Sequence, residues 1–120
     1  MRGLTIIVAD ATPERFRTAL SLATATAALG ARARIFLQGE AVTLIRPPIT
    51  APNDAAHTKV GLPTLAAHYA EALALGVRFT LCQSGLTLTA TQPSDYDPTT
   101  DYAGLISVMA DLGDDRLVVA

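Results

Sequence analysis

The segment LTIIVA at residues 4–9 constrains the fold more than any other feature, because apolar residues do not alternate with polar ones along it. A strand with one face in water shows such alternation, whereas a continuous apolar run is covered on both faces. Helices on both faces of a parallel sheet provide that cover. Strand-like segments of similar length follow at residues 33–37, 77–81 and 116–119. We therefore expect these segments to be strands of a largely parallel sheet.

Two long helical patterns lie between the first three strands. Residues 13–29 are expected to form the first helix, with Thr12 as its N-cap and Gly30 just beyond its end. Residues 63–76 are expected to form the second, because proline favours the first helical position and glycine ends a helix. Apolar residues recur at helical spacing in both segments, so each helix presents one face to a core.

The remaining segments are less regular. Residues 46–61 contain three prolines and no sustained period, which is typical of a long loop. A short helix is expected at residues 86–88, with Ser84 as its N-cap. The last helix is expected at residues 102–112, with Asp101 as its N-cap.

Strands that alternate with helices predict an α/β fold, here a three-layer α/β/α sandwich with a largely parallel sheet of four or five strands. A chain of 120 residues, half of them apolar, has the size of one domain, which we assign to residues 1–120. In such sheets the loops that follow the strands lie along one edge, where ligands bind.

Composition argues against several classes of function. A net charge of −2 and a pI near 5.5 provide no positive field for nucleic acid, and six aromatic residues offer few surfaces for base stacking. No segment is long enough to span a bilayer and no signal peptide is recognisable, so we expect a cytoplasmic protein. The glycine-rich phosphate motifs are absent, and no cofactor is expected.

Cys82 is the only cysteine, and it follows directly on the third predicted strand. The start of a helix supplies backbone N–H groups and a positive dipole end, which would stabilise the thiolate that does the chemistry of cysteine. One cysteine cannot close a disulfide within the chain. The alternative is that Cys82 is a small buried residue of the core, since free cysteine is among the most buried residue types.

Four further residues are weaker candidates. Asp10 and Gln38 follow the first and second strands, so both are expected at the same sheet edge as Cys82, although an acidic residue there is also ordinary turn chemistry. His57, in the predicted loop, and His68, on a helix, are possible bases for the thiol. Their spacing is not diagnostic of a metal site, and none is predicted.

Three segments of the sequence together resemble the DsrE-like (DsrE/DsrF-like) family of small sulfur-relay proteins. They are residues 9–15 with the alanine-rich helix that follows, residues 36–44, and residues 76–88, GVRFTLCQSGLTL. The third is similar to the family's cysteine-bearing segment, and Cys82 aligns with that cysteine. The sequence departs from the family pattern at Ala90, where glycine is common, and at Gly85, where a larger residue is common.

The resemblance implies that Cys82 accepts sulfane sulfur as a persulfide and passes it to another thiol, usually within a homo-oligomer or hetero-oligomer. The partners would then be sulfur donor and acceptor proteins or small thiols. In this hypothesis Gln83, Ser84 and nearby backbone N–H groups stabilise the negative charge. The alternative hypothesis is a non-catalytic oligomeric module that binds a ligand or protein at the same edge, with Cys82 only lining a pocket.

Overall fold

The computed structural model describes residues 1–120, and its five strands form one sheet in which every neighbouring pair is parallel. The strands are β1 (Leu4–Val8), β2 (Ala33–Leu37), β3 (Arg78–Cys82), β4 (Asp101–Ala103) and β5 (Arg116–Val119). Their spatial order is β4-β3-β2-β1-β5. The predicted parallel α/β sheet is confirmed, with five strands.

The strand register brings the carboxyl ends of the three central strands to one edge of the sheet. Val8 at the end of β1 lies opposite Leu37 at the end of β2, and Leu37 lies opposite Leu81 of β3. The chain continues beyond each of these positions into a segment that carries a candidate residue. The topology therefore places those segments side by side.

The helices are α1 (Pro13–Ala28), α2 (Asp54–Lys59), α3 (Leu65–Ala74), α4 (Gln83–Thr89) and α5 (Leu105–Ala110), with 3-10 helices at Gly39–Ile45 and Pro93–Asp95. None of them has the length and apolar character needed to span a membrane. The first and second long helices begin and end within two residues of their predicted bounds.

One face of the sheet carries the main core. The apolar stripe of α1, with Phe16 and Leu20 fully buried, packs there beside α3, whose Leu65 and Ala72 are also buried. The 3-10 helix Gly39–Ile45 closes the same core with four buried residues. Burial of this cluster of 22 residues supplies the main driving force for folding.

The second face carries much less cover. Only α5 crosses it, and the buried cluster there contains three residues, Ile7, Phe36 and Val108. Leu117 and Val119 of β5 lie in register with β1 and remain exposed. The sandwich therefore has one complete outer layer and one thin outer layer.

The predicted helix at residues 102–112 is wrong in its first part. Asp101, expected as an N-cap, begins β4 instead, and Gly104 is the N-cap of α5. Asp101 is held there by Arg78 of β3, whose Nη2 donates to both carboxylate oxygens at 3.0 Å. A three-residue edge strand fixed by a cross-strand ion pair has no periodicity for the sequence to reveal.

The predicted loop at residues 46–61 is also partly wrong, since it contains α2. Helix α2 buries none of its residues and is anchored through Asp54, which accepts hydrogen bonds from Arg17 at 2.6 Å and from the backbone N–H of Leu65 at 2.9 Å. The Leu65 bond, together with Arg17, holds the pKa of Asp54 below its ordinary value against the opposing effect of burial. The next helix starts with Thr64 as N-cap, not with Pro63.

Candidate functional site

Cys82 occupies the junction between a strand and a helix. It is the last residue of β3 and at the same time the N-cap of α4, with φ −65° and ψ 122°. The expectation that Ser84 caps this helix is wrong, because α4 already begins at Gln83. Ser84 and Gln83 both lie exposed in its first turn.

The Cys82 side chain belongs to the thinly covered face of the sheet. Side chains alternate along a strand, and Phe79 and Leu81 of β3 point into the main core. Cys82 instead packs against the small cluster of Ile7, Phe36 and Val108, and it also touches the edge of the main core. The thiol is free and partly buried.

A close approach between α4 and the 3-10 helix Gly39–Ile45 fixes the position of the Cys82 junction. Gly85 is buried, and a Cβ atom at this position would overlap the carbonyl oxygen of Gly39 and stand 2.8 Å from Cγ1 of Val42. Only glycine permits the two segments to pack at this distance. The segments that follow β2 and β3 are therefore in direct contact beside the thiol.

Gln38 and Asp10 lie at the same edge as Cys82, one and two strands away. Gln38 is exposed, and its backbone N–H donates to the carbonyl of Val8 at 3.1 Å. The Asp10 carboxylate accepts from the backbone N–H of Thr12 at 3.0 Å, and Arg15 lies 3.6 Å away. The hydrogen bond from Thr12 lowers the pKa of Asp10, and the Arg15 charge adds to it. Asp10 thus also organises the turn into α1.

The two histidines lie elsewhere. His57 and His68 line a cleft of about 270 Å³ together with Arg17. Nε2 of His57 is 3.5 Å from a carboxylate oxygen of Glu14, and no hydrogen bond joins either histidine to Cys82. Burial lowers the pKa of His68. No three His, Cys, Asp or Glu side chains converge as potential metal ligands.

The sequence matches one protein-family model, described as the DsrE/DsrF-like family, over residues 3–106. This chain belongs to the DsrE/DsrF-like family. The match includes β1 to β4, Cys82 and the first residues of α5. The resemblance noted in the sequence is therefore confirmed at the level of the family.

Two solved structures show the same fold as this DsrE/DsrF-like chain. MTH1491 from Methanobacterium thermoautotrophicum, a protein of unknown function, aligns with TM-score 0.76 and 13% identity over 100% of both chains. BT1422 from Bacteroides thetaiotaomicron, a conserved protein of unknown function, aligns with TM-score 0.69 and 16% identity over 98% of this chain and 94% of the other. No curated protein matches the sequence.

The sequence did not reveal which side chains surround the thiol of this DsrE/DsrF-like domain. Phe36 and Val108 come from β2 and α5. Their packing with Cys82 depends on the strand order, which the sequence does not specify. Gly85 did carry a signal, since glycine lowers the stability of a helix relative to alanine and therefore suggests a packing constraint. That signal gave no indication of the partner, Gly39.

Proposed function

We propose that this protein is a sulfur carrier that holds sulfane sulfur as a persulfide on Cys82 and passes it to the thiol of a partner. The observation that carries the proposal is the position of the only thiol in a DsrE/DsrF-like chain, at the carboxyl end of β3 and the start of α4. Reactive groups in open α/β sheets lie at this edge.

The transfer consists of two thiol exchanges without net oxidation. The Cys82 thiolate attacks the outer sulfur of a donor persulfide, so that a new S–S bond forms, the donor S–S bond breaks and the donor leaves as a thiolate. The acceptor thiolate then attacks the outer sulfur on Cys82 and releases Cys82 as a thiolate. Protons exchange with water at both ends, and no second cysteine in this chain is required.

The residues at the sheet edge have different roles in this proposal. Gln83 and Ser84, exposed in the first turn of α4, stabilise the charge on the outer sulfur. Gln38 and Asp10, on the neighbouring segments, are positioned to contact the donor or acceptor. His57 has no part in the transfer, because it pairs with Glu14 beside α1.

Intact-mass measurement tests the proposal directly. The protein is incubated with glutathione persulfide, and the wild type is expected to gain the mass of one sulfur atom, which a second thiol then removes. Because Cys82 is the only thiol, the Cys82→Ser variant should gain nothing. Ser84→Ala is expected to form the adduct more slowly. A thiol that reacts with iodoacetamide and yet takes up no sulfur would refute the carrier function.

The packing of the thiol favours a second candidate, a non-catalytic oligomeric module that binds a ligand or protein. Cys82 is partly buried against Ile7, Phe36 and Val108, as a structural residue would be. In this case Cys82→Ala would lower stability through a small cavity and leave partner binding intact. In a carrier, the same variant would keep its fold and lose all sulfur uptake.

We further propose that copies of the chain associate through the thinly covered face. The exposed apolar residues there form what we call the α5 patch: Leu105, Ile106, Met109, Leu117 and Val119. Ile106 is 88% exposed, and the two β5 residues lie on the same face beside α5. Several exposed apolar residues on one face are typical of an interaction site.

A further inference from the structure

The second face of the sheet contains a cleft, lined by arginines and aspartates, that the proposed sulfur chemistry does not use. Its volume is about 430 Å³, and it lies over β3 and β4 at the flank of α5. Ser107 of α5 and Asp111, the C-cap of α5, are four residues apart and line the cleft, so the α5 patch residues Leu105 and Met109 lie on the other flank of the helix. The cleft and the patch are therefore separate surfaces.

Two arginines face each other across the floor of the cleft. Arg34 of β2 and Arg78 of β3 are in direct register, and both side chains line the cleft. Like charges at directly opposed positions destabilise a sheet. An anion placed between them would remove this repulsion.

Each arginine is already paired with an aspartate that lines the same cleft. Arg34, only 14% exposed, donates to the hydroxyl of Thr5 on β1 and, at 2.8 Å, to Asp111 at the end of α5. Arg78, 54% exposed, donates through Nη2 to Asp101 on β4. Thr5 of β1 and Asp101 of β4 lie on opposite sides of the β2–β3 pair, so the two arginines have partners on different strands.

Several residues that line the cleft have unused hydrogen-bond donors. Nε and Nη1 of Arg78 make no hydrogen bond, and neither do the hydroxyls of Thr80 and Ser107, which line the same cleft. Arg32 also lines the cleft, and the three aspartates Asp101, Asp111 and the more deeply placed Asp115 balance the charges of the three arginines. Attraction therefore comes from oriented donors rather than from net charge. Guanidinium and hydroxyl donors in this arrangement suit a tetrahedral oxyanion.

We infer that this cleft binds a phosphate-like oxyanion. Arg78, Thr80 and Ser107 donate hydrogen bonds to the anion, and Arg34 contributes a further positive charge. The neighbouring acidic side chains oppose an anion, so the affinity of the wild type is expected to be millimolar. The apolar side chains of Ala103 and Val108 also line the cleft and leave room for an organic group attached to the oxyanion.

An amide-resolved NMR titration with sodium phosphate, at ionic strength held constant with sodium chloride, tests the inference. We expect saturable shifts at Thr80, Ala103 and Ser107. Arg78→Gln, at an exposed residue, should raise the Kd about tenfold, the effect of one charge-assisted hydrogen bond. Asp101→Asn should lower the Kd several-fold, because it removes a competing carboxylate and releases Arg78.

Matched controls separate this effect from a general change of charge. Arg116→Gln and Glu71→Gln change exposed residues outside the cleft and should leave the Kd unchanged. Cys82→Ser should bind phosphate like the wild type, so that the cleft and the sulfur chemistry are tested independently. Equal affinity for phosphate and phenyl phosphate would assign the cleft to the free anion, and tighter binding of phenyl phosphate to a monoester. Unsaturable shifts, or equal Kd values for Arg78→Gln and Arg116→Gln, would overturn the inference.

Discussion

Gly85→Ala is the substitution that most directly tests how the Cys82 junction is held in place. In a helix, alanine is favoured over glycine by about 1 kcal/mol, so an unobstructed site would be stabilised by the change. At this site the new methyl group overlaps the Gly39 carbonyl and stands 2.8 Å from Cγ1 of Val42. A backbone oxygen cannot rotate away, and α4 must move by several tenths of an ångström. Overpacking of this kind costs about 3 kcal/mol at the upper end, which leaves a net loss of about 2 kcal/mol.

Equilibrium unfolding in urea, at one fixed protein concentration, measures this loss. Gly104→Ala is the matched control, because a Cβ at Gly104 meets nothing within 4 Å and its φ of −93° suits alanine. The control is expected to stay within about 0.5 kcal/mol of the wild type. Persulfide formation on Cys82 should slow in Gly85→Ala and not in Gly104→Ala. A Gly85→Ala protein as stable as the wild type would show that the contact between α4 and Gly39 is not tight.

Two further substitutions test the second face. Asp115→Asn removes the contacts of a carboxylate that is only 4% exposed with Arg32 and Thr5, both at 2.8 Å. Since Arg32 is itself half exposed, we expect the free energy of unfolding in urea at neutral pH to fall by about 2 kcal/mol. The control Asp114→Asn should lower it negligibly. Burial would raise the pKa of Asp115, but Arg32 and Thr5 outweigh this effect and hold the pKa below its ordinary value of 3.8. The difference in stability between Asp115→Asn and the wild type should therefore be complete above that pH and shrink in stronger acid. A stability difference that grows in acid would contradict this assignment. Ile106→Glu should convert an oligomer to monomers, as measured by size-exclusion chromatography with light scattering. Leu29→Glu, also at an exposed position, should leave the oligomer intact. An oligomer that survives Ile106→Glu would exclude the α5 patch as the interface.

Strands that are apolar along their length could be predicted closely from the sequence. The predicted bounds of β2 and β5 agree with the structure, and β1 differs by one residue at its end. These segments pair with neighbours over most of their length, so local composition and tertiary environment agree. The third strand was predicted one residue too early, so Cys82, expected just after it, is instead its last residue.

The elements that the sequence missed depend on contacts between distant residues. Helix α2 is held by Arg17 of α1, and β4 is held by Arg78 of β3. Neither segment is long enough to show a period, and an ion pair between distant residues leaves no local pattern. The residues that pack around Cys82 could not be predicted for the same reason, since they come from β1, β2 and α5.

The adjacency of β1 and β5 has a consequence for the chain during synthesis. Leu4 pairs with Arg116, so β1 obtains one of its two neighbours only when β5, the last of the five strands in chain order, has formed. Until then β1, whose five residues are all buried in the finished protein, presents an open row of backbone hydrogen-bonding groups. Such an edge is a template for pairing with other chains. A chain in which β5 has not yet formed therefore exposes β1 to aggregation.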